Sequence, residues 1–237
     1  MHYLGGKYRV SKQLTDFMRP LLSGPYAEPF CGSCWVASSM GAPEMLLSDK
    51  HPYLIAMWQA LQSGWEPPSE VSEEEYYDVK RNMDREPHLT GFIGFGCSYA
   101  GKWFGGYARG GNANYALQAK NSLSRKIKQI QSARFVCCGY EGAEAYYNKP
   151  HLIYCDPPYA GSTGYGSVVG KFDNKAFNDW MRDMSRRHLV LCSEYERNVP
   201  SDARVAWRTE SRRVIRGKSG RVPTAEVLYT FNSKDDV

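Results

Sequence analysis

The segment that most constrains the fold is the stretch Leu152-Ile153-Tyr154-Cys155-Asp156-Pro157-Pro158-Tyr159. Its first half is apolar and is typical of a buried strand, which the two prolines stop because proline cannot donate to a β-ladder. Polar residues at the carboxyl end of a buried strand lie where an α/β protein binds its ligand. An ordinary turn would account for the prolines but not for Asp156 and Tyr159.

Short apolar strands alternate with helical segments on both sides of this stretch. We predict strands at 26–30, 45–47, 152–155 and 189–192, and helices at 10–21, 34–40, 53–61 and 172–187. This alternation predicts an α/β fold with a doubly wound, mainly parallel sheet. The expected strand ends carry Cys31-Gly32-Ser33, Ser48-Asp49, Asp156 to Tyr159 and Ser193-Glu194.

The middle of the chain interrupts the alternation. We predict that residues 62–147 form an inserted, mainly helical region, which leaves 1–61 and 148–237 as one catalytic domain. Within the insert, residues 91–111 are rich in glycine and aromatic residues and contain no acidic residue. Such a segment either stacks nucleic-acid bases or packs its rings on the core, and the sequence leaves both possibilities open.

Composition excludes several classes of protein. The chain has 237 residues, of which 42% are hydrophobic and 23% charged, so it can bury a core and is too apolar to be disordered. No apolar run approaches the roughly 18 residues that cross a bilayer. Seven cysteines without a secretory signal favour reduced thiols and a cytoplasmic location.

The net charge of +5 conceals two basic blocks, at 119–134 and 204–221. The second block is expected to form a β-hairpin with its tip at 217–220. Basic blocks of this kind suit a nucleic-acid partner, although a solvated helix face and a solvated hairpin would show the same pattern.

One motif suggests other chemistry. Cys31-Gly32-Ser33-Cys34-Trp35 matches the surroundings of a papain-type nucleophile and also the C-x-x-C spacing of a redox dithiol. The protease interpretation fails because Glu28 stands where a glutamine should help to form the oxyanion hole and because His188 lies in an apolar strand. The redox interpretation requires a different order of strands and helices.

Together the motifs resemble the N6-adenine DNA methyltransferases that use S-adenosylmethionine, of the DNA adenine methylase type. Residues 3–7 (Tyr-Leu-Gly-Gly-Lys) resemble the N-terminal cofactor motif of that group, 28–34 its glycine loop, 47–49 its second-strand acidic motif and 156–159 its catalytic motif. The segment 224–229 resembles a later motif in the same order. Cys34 departs from the family pattern, which usually has glycine there.

The resemblance implies a Rossmann-like methyltransferase sheet with an inserted, mainly helical DNA-recognition region. It also implies methyl transfer from S-adenosylmethionine to N6 of an adenine flipped out of duplex DNA. The expected catalytic residues are Asp156, Pro157, Pro158 and Tyr159. The expected cofactor-binding residues are Tyr3, Gly6, Lys7, Phe30, Gly32, Ser33, Asp49 and Asp156. The expected DNA contacts are Lys102, Arg109, Arg125, Lys128, Arg213, Arg216, Lys218 and Arg221.

These residue types fit that chemistry. Asp156 and the Pro157 carbonyl would accept the two N6 hydrogens, Tyr159 would stack on the base, and Asp49 would bind the ribose hydroxyls. The expected partner is double-stranded DNA, with no metal and no membrane, and the expected source is a bacterium or phage. The sequence leaves the oligomeric state open between a monomer and a weak dimer. Alternatives are an RNA adenine methyltransferase, a protein-glutamine methyltransferase and a catalytically inactive module that binds S-adenosylmethionine or DNA.

Overall fold

The computed structural model describes residues 1, 3–111, 113–159, 166–209, 213–217 and 220–233. Its strands are β1 (Tyr26–Glu28), β2 (Met45–Asp49), β3 (Arg134–Cys137), β4 (Leu152–Cys155), β5 (Leu189–Tyr195), β6 (Arg204–Arg208), β7 (Arg213–Gly217), β8 (Gly220–Thr224) and β9 (Glu226–Thr230). Seven of them form one sheet in the order β3-β2-β1-β4-β5-β9-β6, and β7 and β8 form a separate antiparallel hairpin. Strands β1 to β5 are parallel, and β9 runs antiparallel to both of its neighbours.

The order of the strands creates a switch point between β1 and β4. From β1 the chain proceeds outward to β2 and β3, and it returns to the other side of β1 at β4. In open α/β sheets the connections diverge at such a point and leave a crevice beyond the carboxyl ends of the two strands. Glu28 ends β1 and Asp156 follows β4, so both carboxyl groups lie at this crevice.

Both faces of the sheet are covered by apolar layers. Alternate residues of β4 point to opposite faces: Leu152 and Tyr154 belong to one buried cluster and Ile153 and Cys155 to another. Helices on both sides of a mainly parallel sheet confirm the predicted doubly wound α/β class.

The helices are α1 (Ser11–Met18), α2 (Trp35–Met40), α3 (Pro52–Gln62), α4 (Glu73–Arg81), α5 (Pro87–Gly96), α6 (Tyr115–Gln129), α7 (Tyr140–Ala143), α8 (Gly166–Val169) and α9 (Asn174–Met184). Local sequence sets several of their starts. Ser72 and Glu75 form a capping box at α4, and the side chains of Asn114 and Asp173 cap α6 and α9. Among the described residues, no helix is both long and apolar enough to cross a membrane.

The predicted insert contains α4 to α6 but also a strand of the sheet. β3 pairs in parallel with β2, and α7 follows it, so residues 134–143 belong with the sheet although we assigned them to the inserted region 62–147. β3 was not predicted from the sequence. It is an edge strand of four residues in which only Phe135 is buried, so it lacks the apolar run of a central strand. The division of the chain into two domains otherwise stays a prediction.

Most aromatic residues of segment 91–111 pack inward, whereas Tyr99 is exposed. Phe92 and Phe95 are fully buried in α5, and Trp103 stacks on Tyr53 with ring centroids 5.5 Å apart. For these three rings, packing on the core is therefore the arrangement seen. Gly91 allows the close approach of α5 to α3, since a Cβ there would lie 2.1 Å from the Tyr53 carbonyl oxygen.

Gly91 therefore yields a test of this packing. We expect Gly91→Ala to lower the free energy of unfolding by about 1–3 kcal/mol, because the added methyl group must push α5 away from α3. Urea unfolding measures the effect, with Asn121→Ala on the exposed face of α6 as the control. Alanine normally favours a helix over glycine, so an unchanged or raised unfolding midpoint would contradict the packing described.

Candidate active site

Four side chains from distant parts of the chain meet at the switch point. The Lys7 Nζ lies 2.5 Å from Asp156 Oδ1 and 3.4 Å from Glu226 Oε1. The Tyr159 hydroxyl donates to the same Glu226 oxygen at 2.9 Å, and the Lys7 Nζ lies 4.8 Å from the centre of the Tyr159 ring. The lysine thus connects two carboxylates and one aromatic face.

Three separate elements position these groups. Lys7 precedes α1, where its carbonyl accepts from the N–H groups of Val10 and Ser11. Asp156 follows β4 directly, and Glu226 begins β9, two strands away across the sheet. The Lys7 side chain, which is only 7% exposed, lies between these two carboxylates and contacts both. The network therefore ties the N-terminal segment to the sheet.

Burial and neighbouring charges set the ionisation of this network. Burial raises the pKa of Asp156 to about 6, with Glu226 and Glu194 adding to the rise and Lys7 opposing it. For Lys7, burial lowers the pKa, but the carboxylates of Asp156 and Glu226 outweigh it and raise the pKa overall. At neutral pH the lysine is therefore a cation and Asp156 is an anion.

The glycine loop after β1 lies against the N-terminal segment. Gly32 has φ +47°, in the left-handed region, and a Cβ there would lie 3.1 Å from the Tyr3 ring. A Cβ at Gly6 would lie 3.1 Å from the Tyr3 carbonyl oxygen and 3.3 Å from Ser33 Oγ. Four of the predicted cofactor residues are thus brought together, and both glycines are needed for the close approach.

Asp49 supports the same loop. Its Oδ2 accepts from the Gly32 N–H at 3.0 Å and its Oδ1 from the His51 N–H at 2.9 Å. The cap of α3 is His51, whose Nδ1 accepts from the Leu54 N–H at 3.4 Å, so Asp49 is not the helix cap. Burial raises the pKa of Asp49 to about 6, while these N–H groups oppose the rise.

Glu28 adds a third carboxyl group at the strand ends. It is buried, and its Oε1 accepts from the Tyr26 hydroxyl at 2.7 Å. Burial raises its pKa to about 8, and the nearby Asp156 adds to the rise. Acidic residues with raised pKa values therefore stand at the ends of the adjacent strands β1, β2 and β4, and such residues are concentrated at ligand and catalytic sites.

The remaining predicted residues of the site differ in their surroundings. Phe30 packs in an aromatic cluster with Tyr140 and Phe177, with ring centroids 5.8 Å and 5.5 Å away. Pro157 is buried and Pro158 half-buried directly after β4. Phe30 thus lies on the opposite face of the sheet from the cluster that contains Tyr3.

The predicted DNA contacts are dispersed. Lys102, Arg125 and Lys128 are exposed, and Arg109 is exposed in an ion pair with Glu73 of α4. Arg213, Arg216 and Arg221 lie in the β7–β8 hairpin, where 216 and 221 are register partners, and Lys218 lies outside the described residues. Their role in DNA binding stays a prediction.

Three residues of the site were missed from the sequence. Glu28 and Glu226 lie in the segments 28–34 and 224–229, which the resemblance singled out without giving these two carboxyl groups a role. Lys126 lies in the basic block 119–134, for which nucleic-acid contacts and a solvated helix face were both left open, yet it is only 4% exposed and donates to the carbonyl oxygen of Ser33. Burial lowers its pKa to about 8. Helical spacing could have indicated Lys126, since it lies three residues after the buried Leu123.

The parallel sheet, the glycine loop and the buried carboxyl groups at the switch point define a doubly wound α/β enzyme with a nucleotide-type ligand crevice. Within the part of the chain that the structure describes, no group of three or more His, Cys, Asp and Glu side chains could hold a metal ion.

Comparison with known proteins identifies the family. The model of the D12 class N6 adenine-specific DNA methyltransferases matches residues 3–88 and 101–207, and the chain belongs to this family. A DNA adenine methylase from Haemophilus influenzae is 23% identical over 275 aligned positions, which cover 99% of this chain and 93% of the relative. A DNA adenine methylase from Vibrio cholerae is 26% identical, with coverage of 98% and 95%. The resemblance inferred from the motifs and the activity of an adenine-specific DNA methyltransferase are thereby confirmed.

A solved structure also resembles the chain. It is a rRNA methylase from Streptococcus thermophilus, with 8% identity, a TM-score of 0.40 and coverage of 94% of this chain and 98% of that one. A similarity this low carries no argument about substrate.

The departure at Cys34 has a structural consequence. Cys34 precedes α2 with φ 53° and ψ 35°, in the left-handed region that glycine adopts freely, and its side chain is fully buried. The loop therefore keeps the backbone conformation of a glycine with a side chain attached.

We expect this left-handed backbone conformation to determine how substitutions at position 34 change the free energy of unfolding. Cys34→Val should lower the free energy of unfolding by at least about 2 kcal/mol more than Cys34→Gly, because a β-branched residue is strained at positive φ. Chemical denaturation of both variants measures the difference, and Cys97→Val, at another buried cysteine but with ordinary negative φ, controls for the change in side chain. Equal stability of the two Cys34 variants would show that the left-handed conformation is not maintained.

Proposed function

We propose that the chain transfers a methyl group from S-adenosylmethionine to N6 of an adenine flipped out of duplex DNA. The observation that carries the proposal is the Lys7–Asp156–Glu226–Tyr159 network at the switch point of a D12-class chain. It places an acceptor for an amino group beside an aromatic ring, which is the combination that an adenine base requires.

The strand ends fit S-adenosylmethionine as the methyl donor. When bound, this cofactor supplies an electrophilic methyl group on a cationic sulfonium. Buried Glu28 and half-buried Asp49 and Asp156 place three carboxyl groups at adjacent strand ends, and a cationic ligand would favour the ionised forms and lower their raised pKa values. Gly32 and Ser33 would provide the close backbone approach, with Tyr3, Gly6, Lys7 and Phe30 as the further residues that would hold the cofactor.

Asp156 is proposed to hold the amino group of the target base. Its Oδ1 is bound to Lys7, so Oδ2 is the oxygen that would accept an N6 hydrogen, and the Pro157 carbonyl would accept the other. Two acceptors in this position would direct the nitrogen lone pair toward the methyl group of the bound donor, and they would stabilise the positive charge that develops on nitrogen as the carbon–sulfur bond breaks. The two prolines restrict the backbone that carries both acceptors.

Tyr159 is proposed to stack on the flipped base. Its hydroxyl is tethered to Glu226, and its ring meets the edge of Tyr195 with centroids 4.8 Å apart. A ring held in this way loses little freedom when a base stacks on it, and stacking contributes about 1–3 kcal/mol. Flipping is required because N6 takes part in base pairing inside the duplex.

The eight basic residues predicted from the sequence are proposed to bind the DNA backbone. The β7–β8 hairpin, the exposed side of α6 and the segment that carries Lys102 and Arg109 would contact phosphates, with counterion release contributing to affinity. The recognised sequence is set by base contacts that these phosphate contacts do not specify. A cytoplasmic location in a bacterium or phage-infected cell is part of the same proposal, and the named relatives come from bacteria.

The activity and the role of Asp156 can be tested together. With tritiated S-adenosylmethionine, we expect label in adenine-containing duplex DNA and not in duplex without adenine, structured RNA or protein. Asp156→Asn should lower kcat by about 100-fold or more, because it removes the charge that stabilises the transition state, while duplex binding stays within about twofold.

Asp179→Asn, on the exposed surface of α9, is the matched control and should retain full activity. Label in RNA alone would replace DNA by RNA as the substrate, and no transfer to any substrate would refute the enzymatic proposal. An Asp156→Asn variant with near-normal kcat would refute the role of the carboxylate.

The raised carboxyl pKa values predict proton release on cofactor binding. Glu28, with a pKa of about 8, is mostly protonated at pH 7 in the free protein. A cationic ligand favours its ionised form and lowers the pKa, so protons should leave and affinity should rise between pH 6 and about pH 8.

Calorimetry in phosphate and in Tris buffer measures the released protons through the different ionisation enthalpies of the buffers. Glu28→Gln should release fewer protons than the wild-type protein, whereas Glu44→Gln, at an exposed site, should behave like it. Proton uptake at pH 7 would contradict the interpretation.

A further inference from the structure

A residue of the inserted region binds the glycine loop that follows β1. Lys126 lies in α6, and its Nζ donates to the carbonyl oxygen of Ser33. The same ammonium lies 4.4 Å from the centre of the Trp35 ring and 5.2 Å from that of the Trp58 ring. The two indole rings and one carbonyl group thus surround a charge that is shielded from water.

Trp58 of α3 holds the neighbouring carbonyl group. Its Nε1 donates to the carbonyl oxygen of Gly32 at 2.9 Å, so the two consecutive carbonyls of the loop are both bound by donors from helices. All peptide bonds of the described residues are trans, and in a trans peptide the N–H group points opposite to the carbonyl. Fixing the Gly32 carbonyl toward Trp58 therefore turns the Ser33 N–H to the other side of the loop.

The surroundings of Lys126 are costly for a charge. Among the described residues, no carboxylate lies within 4.0 Å of its ammonium, and the Lys126 side chain is almost fully buried. A buried charge without a counter-ion destabilises a fold, and an apolar side chain of similar size usually serves stability better. The position of this lysine is thus poorly explained by folding alone.

We propose that Lys126 is a positioning residue for the cofactor: its ammonium, supplied by the inserted region, holds the Ser33 carbonyl and keeps residues 32–34 in the conformation that binds S-adenosylmethionine. This inference rests on the proposed function. It extends the cofactor site beyond the residues found in the sequence motifs and makes one helix of the insert part of it. Lys126 acts through the loop and is not a catalytic residue.

The decisive variant is Lys126→Met, which keeps the length of the side chain and removes both the charge and the donor. In the full-length protein, S-adenosylmethionine should bind about tenfold more weakly or worse, because a charge-assisted hydrogen bond to the loop is lost. The KM for S-adenosylmethionine should rise by a similar factor, while kcat at saturation stays within about threefold. The melting temperature should be unchanged or higher, since a buried unpaired charge has been removed.

Three comparisons separate positioning from a general structural role. Lys126→Arg keeps a charged donor that stacks well on indole rings, and it should recover most of the lost affinity. Lys120→Met, in the same helix but paired with Glu66 at 3.3 Å near the surface, should leave cofactor binding unchanged. Binding of duplex DNA without cofactor should be within about twofold of wild type for all three variants.

The inference is overturned if Lys126→Met binds the cofactor as tightly as wild type. It is also overturned if the variant melts lower and loses DNA and cofactor binding together, which is the behaviour of a purely structural residue. If the methionine variant does not fold, Lys126→Gln replaces it, and wild-type affinity in that variant again overturns the inference. A wild-type protein that binds no S-adenosylmethionine would instead refute the proposed function, and this inference with it.

Discussion

The ion pair between the buried Lys7 and the half-buried Asp156 is the interaction on which the site depends. An ammonium and a carboxylate that are both shielded from water are each costly alone, and the cost falls when they face each other. Their contact joins residues that are 149 positions apart in sequence, and Glu226 on β9 extends it across the sheet. One ammonium against two carboxylates leaves the network with an excess of negative charge. The crevice is therefore arranged for positively charged ligand groups.

Asp49 extends this excess along the strand ends, and Glu28 adds a carboxyl group that is mostly protonated at pH 7 until a cation binds beside it. Parallel strands deliver their carboxyl ends to one edge of the sheet, so acids that are distant in sequence accumulate there without any contact between their side chains. Burial is the main cost of ionising both acids and raises their pKa values, and Asp156 adds to the rise for Glu28. A cationic cofactor would lower this cost, and the same electrostatics would then favour the positive charge that grows on the adenine nitrogen.

The sequence predicted elements of the fold correctly where a residue pattern is typical of only one kind of structure. Central parallel strands are apolar throughout, which is why 152–155 was predicted with its observed bounds and 26–30, 45–47 and 189–192 were located to within a few residues. β3 was missed because an edge strand of four residues has no such pattern. Lys126 was missed because composition describes a helix as basic without saying which lysine faces inward, and Glu226 because its contacts come from residues far away in the chain.

The glycine loop shows why those long-range contacts matter. Gly32 has many backbone alternatives in the unfolded chain, and Cys34 adopts a left-handed conformation that a residue with a Cβ disfavours, so the loop needs contacts from outside to become ordered. It is ordered from outside: Asp49 binds one N–H, Trp58 and Lys126 bind two carbonyls, and the Tyr3 ring lies on Gly32. A loop held on every side has already lost the entropy that a ligand would otherwise have to remove, so binding energy is kept for affinity. Because one of these contacts comes from α6, the precision of the cofactor loop depends on the insert as well as on the sheet.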